Sequence, residues 1–167
     1  MPASGPRGAC GRAYARRMAR IVETFTAPVP PATAFALVAD FTTTASWDPL
    51  ISAARRLPGG PGGPGVGDRV EVDLAMGSRT VPVVYEVTAH EPPHRVVLEA
   101  AGAWFRGRDD IRVAAGDAPG TSTVTWDATF ALRGPLVVLE PLLAVGFRRT
   151  AAKAVAGLAA ALRGLPG

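Results

Sequence analysis

Short runs of alternating apolar and polar residues fill most of the chain, and one long stretch near its end changes to helical spacing. From Arg20 to Thr26, Ile21, Glu23 and Phe25 alternate with Val22, Thr24 and Thr26, which predicts a strand. Proline suits a helix start, so Pro31 to Ala39 is expected to be helical, with Phe35, Leu37 and Val38 on its buried side. Asp40 to Thr44 opens a second short helical piece that runs into Trp47-Asp48-Pro49. Leu50 to Leu57 reads as the second strand, and the Gly/Pro-rich stretch Pro58 to Gly67 as a flexible loop. Further strands are expected over Asp68 to Ala75, Arg79 to His90, Arg95 to Ala101, Trp104 to Ala114 and Thr121 to Leu132, joined by short turns as in an antiparallel meander. Pro135 to about Leu162 then carries Leu139, Leu142, Leu143, Phe147, Ala151, Val155, Leu158 and Leu162 near helical spacing. Pro141 marks the first turn of this helix or kinks it. Gly164 ends it.

The order is strand, two short helices, six strands and a long helix, an α+β arrangement. Only the last helix is large enough to cover the apolar face of a seven-stranded antiparallel sheet. A curved sheet is not filled along its whole length by one helix, so a cavity is expected at one end.

Alternation then assigns side chains to that cavity. In the last strand Val124, Trp126, Ala128, Phe130 and Leu132 face in. Val81, Val83, Tyr85, Val87 and Ala89 face in from the fourth, leaving Glu86, Thr88 and His90 outside. Val96, Leu98 and Ala100 face in from the fifth, with Glu99 out. In the sixth, inward Ile111 and Val113 bring Phe105, Gly107 and Asp109 with them, and Trp104, Arg106, Arg108, Asp110 and Arg112 form an outer charged ladder. The inner surface is almost wholly apolar, which favours an apolar or aromatic ligand. Its expected wall comprises Trp47, Val83, Tyr85, Leu98, Phe105, Trp126, Phe130, Leu143 and Phe147.

Composition changes this picture little. Of 167 residues, 48% are hydrophobic and 19% charged, which suits a globular chain. The pI of 10.2 points to nucleic acid, yet Arg7, Arg12, Arg16 and Arg17 lie in the first seventeen residues without an acid, and taking these four from the formal +4 leaves zero. Nucleic acid is therefore not an expected partner. Residues 1–19 read as a flexible basic tail, with a transit peptide as the other reading, 20–163 as the domain and 164–167 as its end. A single cysteine, Cys10, allows no internal disulfide, so a cytoplasmic setting is expected. The most apolar run, Leu136 to Phe147, holds Glu140 and is too short to span a membrane.

Candidate chemistry is sparse. Asp109, if buried, is an acid whose raised pKa suits proton transfer. The expectation is nevertheless that it sits at the cavity rim, paired with an arginine. Tyr85 can orient a ligand carbonyl, although a core tyrosine bonded to backbone is the commoner case. Trp47-Asp48-Pro49 reads as a helix-ending turn and part of a gate. His90 and His94 flank Pro92-Pro93 without neighbouring carboxylates, so no metal is expected. No nucleotide fingerprint or nucleophile elbow occurs, and no cofactor is expected.

Three segments carry a resemblance: APVPPATAFALVADFTTTASWDP after the first strand, VPVVYEVTAHEPPHRVVLEA in the middle, and GTSTVTWDATFAL before the final helix. In this order they resemble the START-like helix-grip superfamily, and within it the bacterial polyketide cyclase/dehydrase and lipid-transport family. The resemblance covers about residues 20 to 163. It implies a curved sheet gripping a C-terminal helix around a ligand cavity, and binding, transport, cyclisation or dehydration as the activity. Fold does not choose among these. The expected function is binding of an apolar small molecule such as a lipid, a polyketide or a similar aromatic or isoprenoid metabolite. A polyketide cyclase or dehydratase using Asp109 and Tyr85 is the alternative. A protein-docking module built on Arg106, Arg108 and Arg112 is the third.

Overall fold

A computed structural model describes residues 19–103, 105–133, 135 and 140–165, without the side chains of 76, 140–145, 147 and 148. The basic tail, Trp104 and residues 136–139 lie outside the described residues. Among those described, seven strands form one antiparallel sheet: β1 (Ala19–Ala27), β2 (Ile51–Arg56), β3 (Arg69–Met76), β4 (Arg79–Glu91), β5 (Arg95–Ala101), β6 (Phe105–Ala115) and β7 (Ser122–Leu132). Their order across the sheet is β1-β7-β6-β5-β4-β3-β2. Thus β2 to β7 run as a meander and β1 closes beside β7, with β1 and β2 at the two edges.

Helix α1 (Pro31–Ala39) begins on its proline, as expected, and buries Ala34, Phe35, Val38 and Ala39. Asp40 leaves the helix in an extended conformation, and its carboxylate accepts from Thr42 N at 3.2 Å and Thr42 Oγ1 at 2.6 Å. That capping starts the 3₁₀ helix Phe41–Ser46. Asp48 Oδ1 then accepts from Leu50 N at 2.9 Å, turning the chain into β2.

The long helix α2 spans Glu140–Arg163, and residues 136–139, which the sequence pattern also assigns to it, lie outside the described residues. Pro141 is its second residue, where a missing N–H removes no helical hydrogen bond. Gly164 N returns to Ala160 and Ala161 carbonyls and stops the helix. Ala154, Leu158 and Leu162, four residues apart, are its buried row. At Gly157 the helix lies against the backbone carbonyl of Trp47, leaving no room for a Cβ.

The inner row of β7 is buried or half-buried as alternation requires: Val124, Trp126, Ala128, Phe130 and Leu132. In β4 the alternation fails at one place. A register shift between Val87 and Ala89 against β5 inserts one extra residue. His90 therefore does not face out as expected; its ring lies 5.3 Å from Phe35 of α1.

The loop between β2 and β3 is tied down at its end. Gly67 N donates to Val87 O, and Val87 N donates to Asp68 O. Asp68 is fully buried, and Arg56 Nε reaches both its carboxylate oxygens at 2.9 and 3.1 Å while Arg56 Nη2 reaches Asp40 at 2.9 Å. One arginine on an edge strand thus holds the loop and the cap of the 3₁₀ helix together.

Candidate functional site

A cavity of about 360 Å³ opens between the inner face of the sheet, the 3₁₀ helix with its following turn, and α2. It remains because the side chains α2 contributes there are small: Gly146, Thr150, Ala151, Ala154 and Val155. Gly107 and Ala128 keep the sheet floor low beneath them. One end is apolar, with Val81 and Val83 of β4 and the stacked rings of Phe105 and Phe130, 5.9 Å apart.

The other end is polar. Strand register places Asp109 opposite Ala128, two residues further along β6 than Gly107, and Ala128 opposite Ile21 of β1. The next inward step holds Trp126, with Glu23 opposite it. Trp126 Nε1 donates to Asp109 Oδ1 at 2.9 Å. Asp48 lines the cavity from the turn after the 3₁₀ helix, and Tyr85 from β4, its ring 4.8 Å from that of Phe41.

The expected rim position of Asp109 is not what the structure shows. Asp109 is 9% exposed and has no arginine partner among the described residues; its neighbour Asp110, on the opposite face, collects Arg95, Arg108 and Arg112. The two adjacent carboxyls consequently titrate in opposite directions. Burial pushes Asp109 up to about 6, offset in part by the Trp126 hydrogen bond and reinforced by Asp48. The guanidinium of Arg95 holds Asp110 below its usual value. Burial also raises Asp48. Tyr85 is pushed well above the usual phenol range by burial, with the charges of Asp109 and Asp48 adding, so its hydroxyl stays protonated. That hydroxyl makes no hydrogen bond to a described residue, against the expectation of a backbone partner.

Of the other expected wall residues, Val83, Phe105, Trp126 and Phe130 line the cavity. Leu98 does not: it is fully buried in the core cluster, opposite Asp109 in the strand register. Trp47 also stands behind the wall. Its ring meets Trp126 edge-on at 5.7 Å and its Nε1 donates to Thr43 Oγ1. The side chains of Leu143 and Phe147 lie outside the described residues. Sequence reading missed Glu23 as a lining group and placed Asp48 only within a gate-forming turn, without a role for its carboxyl. Glu23 could have been found, since it interrupts the apolar row Ile21–Phe25; Asp48 could not, because its capping bond to Leu50 explains it locally.

The outer arginine ladder is largely neutralised at home. Arg108 binds Glu99 at 2.7 Å, and Arg112 binds Asp110 at 3.2 Å. Arg106, the third of the ladder, is exposed and has no ion pair to a described residue. Among the described residues no three His, Cys, Asp or Glu side chains gather as a metal site. No helix among them is long and apolar enough to cross a membrane.

The architecture has many counterparts among solved structures. The Zhui aromatase/cyclase from Streptomyces sp. R1128 superposes with a TM-score of 0.71 at 11% identity, covering 87% of this chain and 93% of that one. A START superfamily protein from Mycobacterium smegmatis gives 0.66 at 16% identity, covering 87% and 94%. A protein from Thermus thermophilus gives 0.69 at 14% identity, covering 86% and 96%. At such identities the likeness establishes the helix-grip fold and nothing about chemistry. Among curated protein sequences none matches. The family model for polyketide cyclase/dehydrase and lipid transport matches residues 18–163, the whole of the sheet and both helices, and the chain belongs to that family.

Proposed function

We propose that the cavity takes up an apolar small molecule, a lipid, polyketide or related ring-bearing metabolite, and that the protein serves as its carrier or sensor. The observation that carries this reading is the cavity of about 360 Å³ with its largely aliphatic and aromatic wall, a size and lining suited to a small organic ligand. Family membership supports it at the coarser level of ligand binding or cyclisation. The reading includes a cytoplasmic setting, supported by a sequence whose single cysteine permits no internal disulfide. Native mass spectrometry of protein purified from its own host tests it. A co-purified apolar molecule, released on denaturation, is the expected result. Protein that is always empty, and that fails to enhance the fluorescence of N-phenyl-1-naphthylamine, would refute it.

A second reading, a cyclase or dehydratase, is favoured by one observation: Asp109 and Tyr85 open into the same cavity, and the charge of one acts on the other. In that reading the Asp109 carboxylate removes a proton from a carbon next to a ligand carbonyl. The Tyr85 hydroxyl donates a hydrogen bond to the carbonyl oxygen as charge moves there. Asp109→Asn is then expected to abolish turnover of a polyketone substrate while leaving its binding in place. Unchanged turnover would exclude the role.

A further inference from the structure

We propose that the ligand carries a basic nitrogen, and that its ammonium group is received at the polar end of the cavity by Asp109 and Asp48, with its apolar body lying toward Phe105 and Phe130. This rests on the ligand-binding reading above and narrows its chemistry.

The cavity sorts its side chains by level along the strands. Val81, Phe105 and Phe130 lie toward one end, and Asp109, Trp126 and Glu23 succeed one another toward the other. An occupant with an apolar body and one polar head therefore has a defined orientation. The sign of that head follows from the charges present. Three ionisable carboxyls line the cavity, Glu23, Asp48 and Asp109, and among the described lining residues there is no Lys, Arg or His. The charge of Asp48 acts on Asp109, a smaller effect than burial itself.

Elsewhere in this protein a buried carboxylate is neutralised by a cation of the chain itself. Asp68 has Arg56, and Asp110 has Arg95. Asp109 has no such partner among the described residues. Trp126 holds one of its oxygens, and the second, Oδ2, makes no hydrogen bond to a described residue while the side chain is nine-tenths buried and faces the cavity. An oxygen that faces the cavity without a partner among the described residues is available to accept a hydrogen bond from a ligand. An ammonium placed there gains a charge-assisted hydrogen bond and relieves the repulsion between the two aspartates. Tyr85 and Trp126 line the same cavity, and aromatic rings are groups that attract a cation. A carboxylate or phosphate head would meet three acids and, among the described lining side chains, only the uncharged hydroxyls of Tyr85, Thr150 and Thr44, the last already donating to Phe41 O.

The test uses three probes with one body: 1-naphthylmethylamine, 1-naphthalenemethanol and 1-naphthaleneacetic acid, titrated calorimetrically at pH 7.5. The amine is expected to bind at least about tenfold more tightly than the alcohol, and the acid most weakly. Asp109→Asn is expected to bring amine and alcohol to similar affinity while changing the alcohol little. Asp48→Asn serves as a second variant should the first not fold, and is expected to reduce the preference part of the way. Alcohol or acid binding as tightly as the amine would overturn this proposal and leave the ligand-binding reading standing. Failure of all three, together with the neutral dye, would overturn both.

Discussion

Replacing Asp109 by asparagine is expected to make the protein more stable, and only above a particular pH. The folded protein raises this carboxyl from its usual 3.8 to about 6, chiefly by burial. Each pH unit of such displacement is worth about 1.4 kcal/mol, so holding Asp109 ionised withdraws about 3 kcal/mol of folding stability at neutral pH. The sign follows from proton counting. Between about 4 and 6 the folded state binds more protons at this site than the unfolded chain, so stability falls as pH rises through that window and levels off above it. Asparagine keeps an acceptor for Trp126 Nε1 and has no charge to desolvate. Urea unfolding of both proteins at half-unit steps from pH 4 to 8 measures the difference. The two should be close at pH 4, diverge through pH 6, and differ by up to about 3 kcal/mol at pH 8 in favour of the variant. Asp48, raised in the same direction, and Asp110 and Asp127, lowered by their arginines, contribute to both proteins and largely cancel in the comparison. A difference that does not vary with pH, or a variant less stable at pH 8 than at pH 4 relative to wild type, would refute the buried-acid assignment. A carboxylate retained at such a cost is the kind of group function selects.

Other consequences are equally open to measurement. Arg56→Met strands the carboxylate of Asp68 without a counter-charge in a fully buried position, and is expected to cost about 3–5 kcal/mol in urea unfolding. Adding Asp68→Asn to it should recover a good part of that loss, and no recovery would show that the ion pair is not the cause. Gly157→Ala would ordinarily stabilise a helix by about 1 kcal/mol. Here the new methyl meets the Trp47 carbonyl, so a net loss in thermal stability is expected, with a shift in tryptophan fluorescence as α2 is displaced. Gly107→Leu projects into the cavity from a position whose Cβ meets only ordinary contact, with Thr129 O at 4.0 Å. It should leave the fold within about 1 kcal/mol and weaken N-phenyl-1-naphthylamine by more than about tenfold; unchanged dye affinity would put the dye elsewhere.

Much of this protein was legible in its residue pattern. Alternation along β7 and β6 is local information, and it identified Trp126, Phe130 and Phe105 as inward side chains because one face of a covered sheet must be apolar. The proline at the start of α1 and the glycine after α2 marked helix ends for equally local reasons. What the pattern could not carry was anything set by a partner distant in sequence. The extra residue in β4 exists only in relation to β5, and it turned His90 inward. Alternation put Asp109 on the inner face and Asp110 on the outer, but left open whether an arginine met Asp109 at the rim. Only the pairing of β6 with β5 and β7 gave the arginines to one and a tryptophan N–H and an open cavity to the other. Sequence determined the elements and their apolar faces, since these follow from backbone period and the avoidance of water. Tertiary structure decided how deeply Asp109 is buried and what it bonds, which residues stand at the cavity surface and which behind it, and how much space is left, since those depend on how closely α2 and the Trp47 turn approach the sheet.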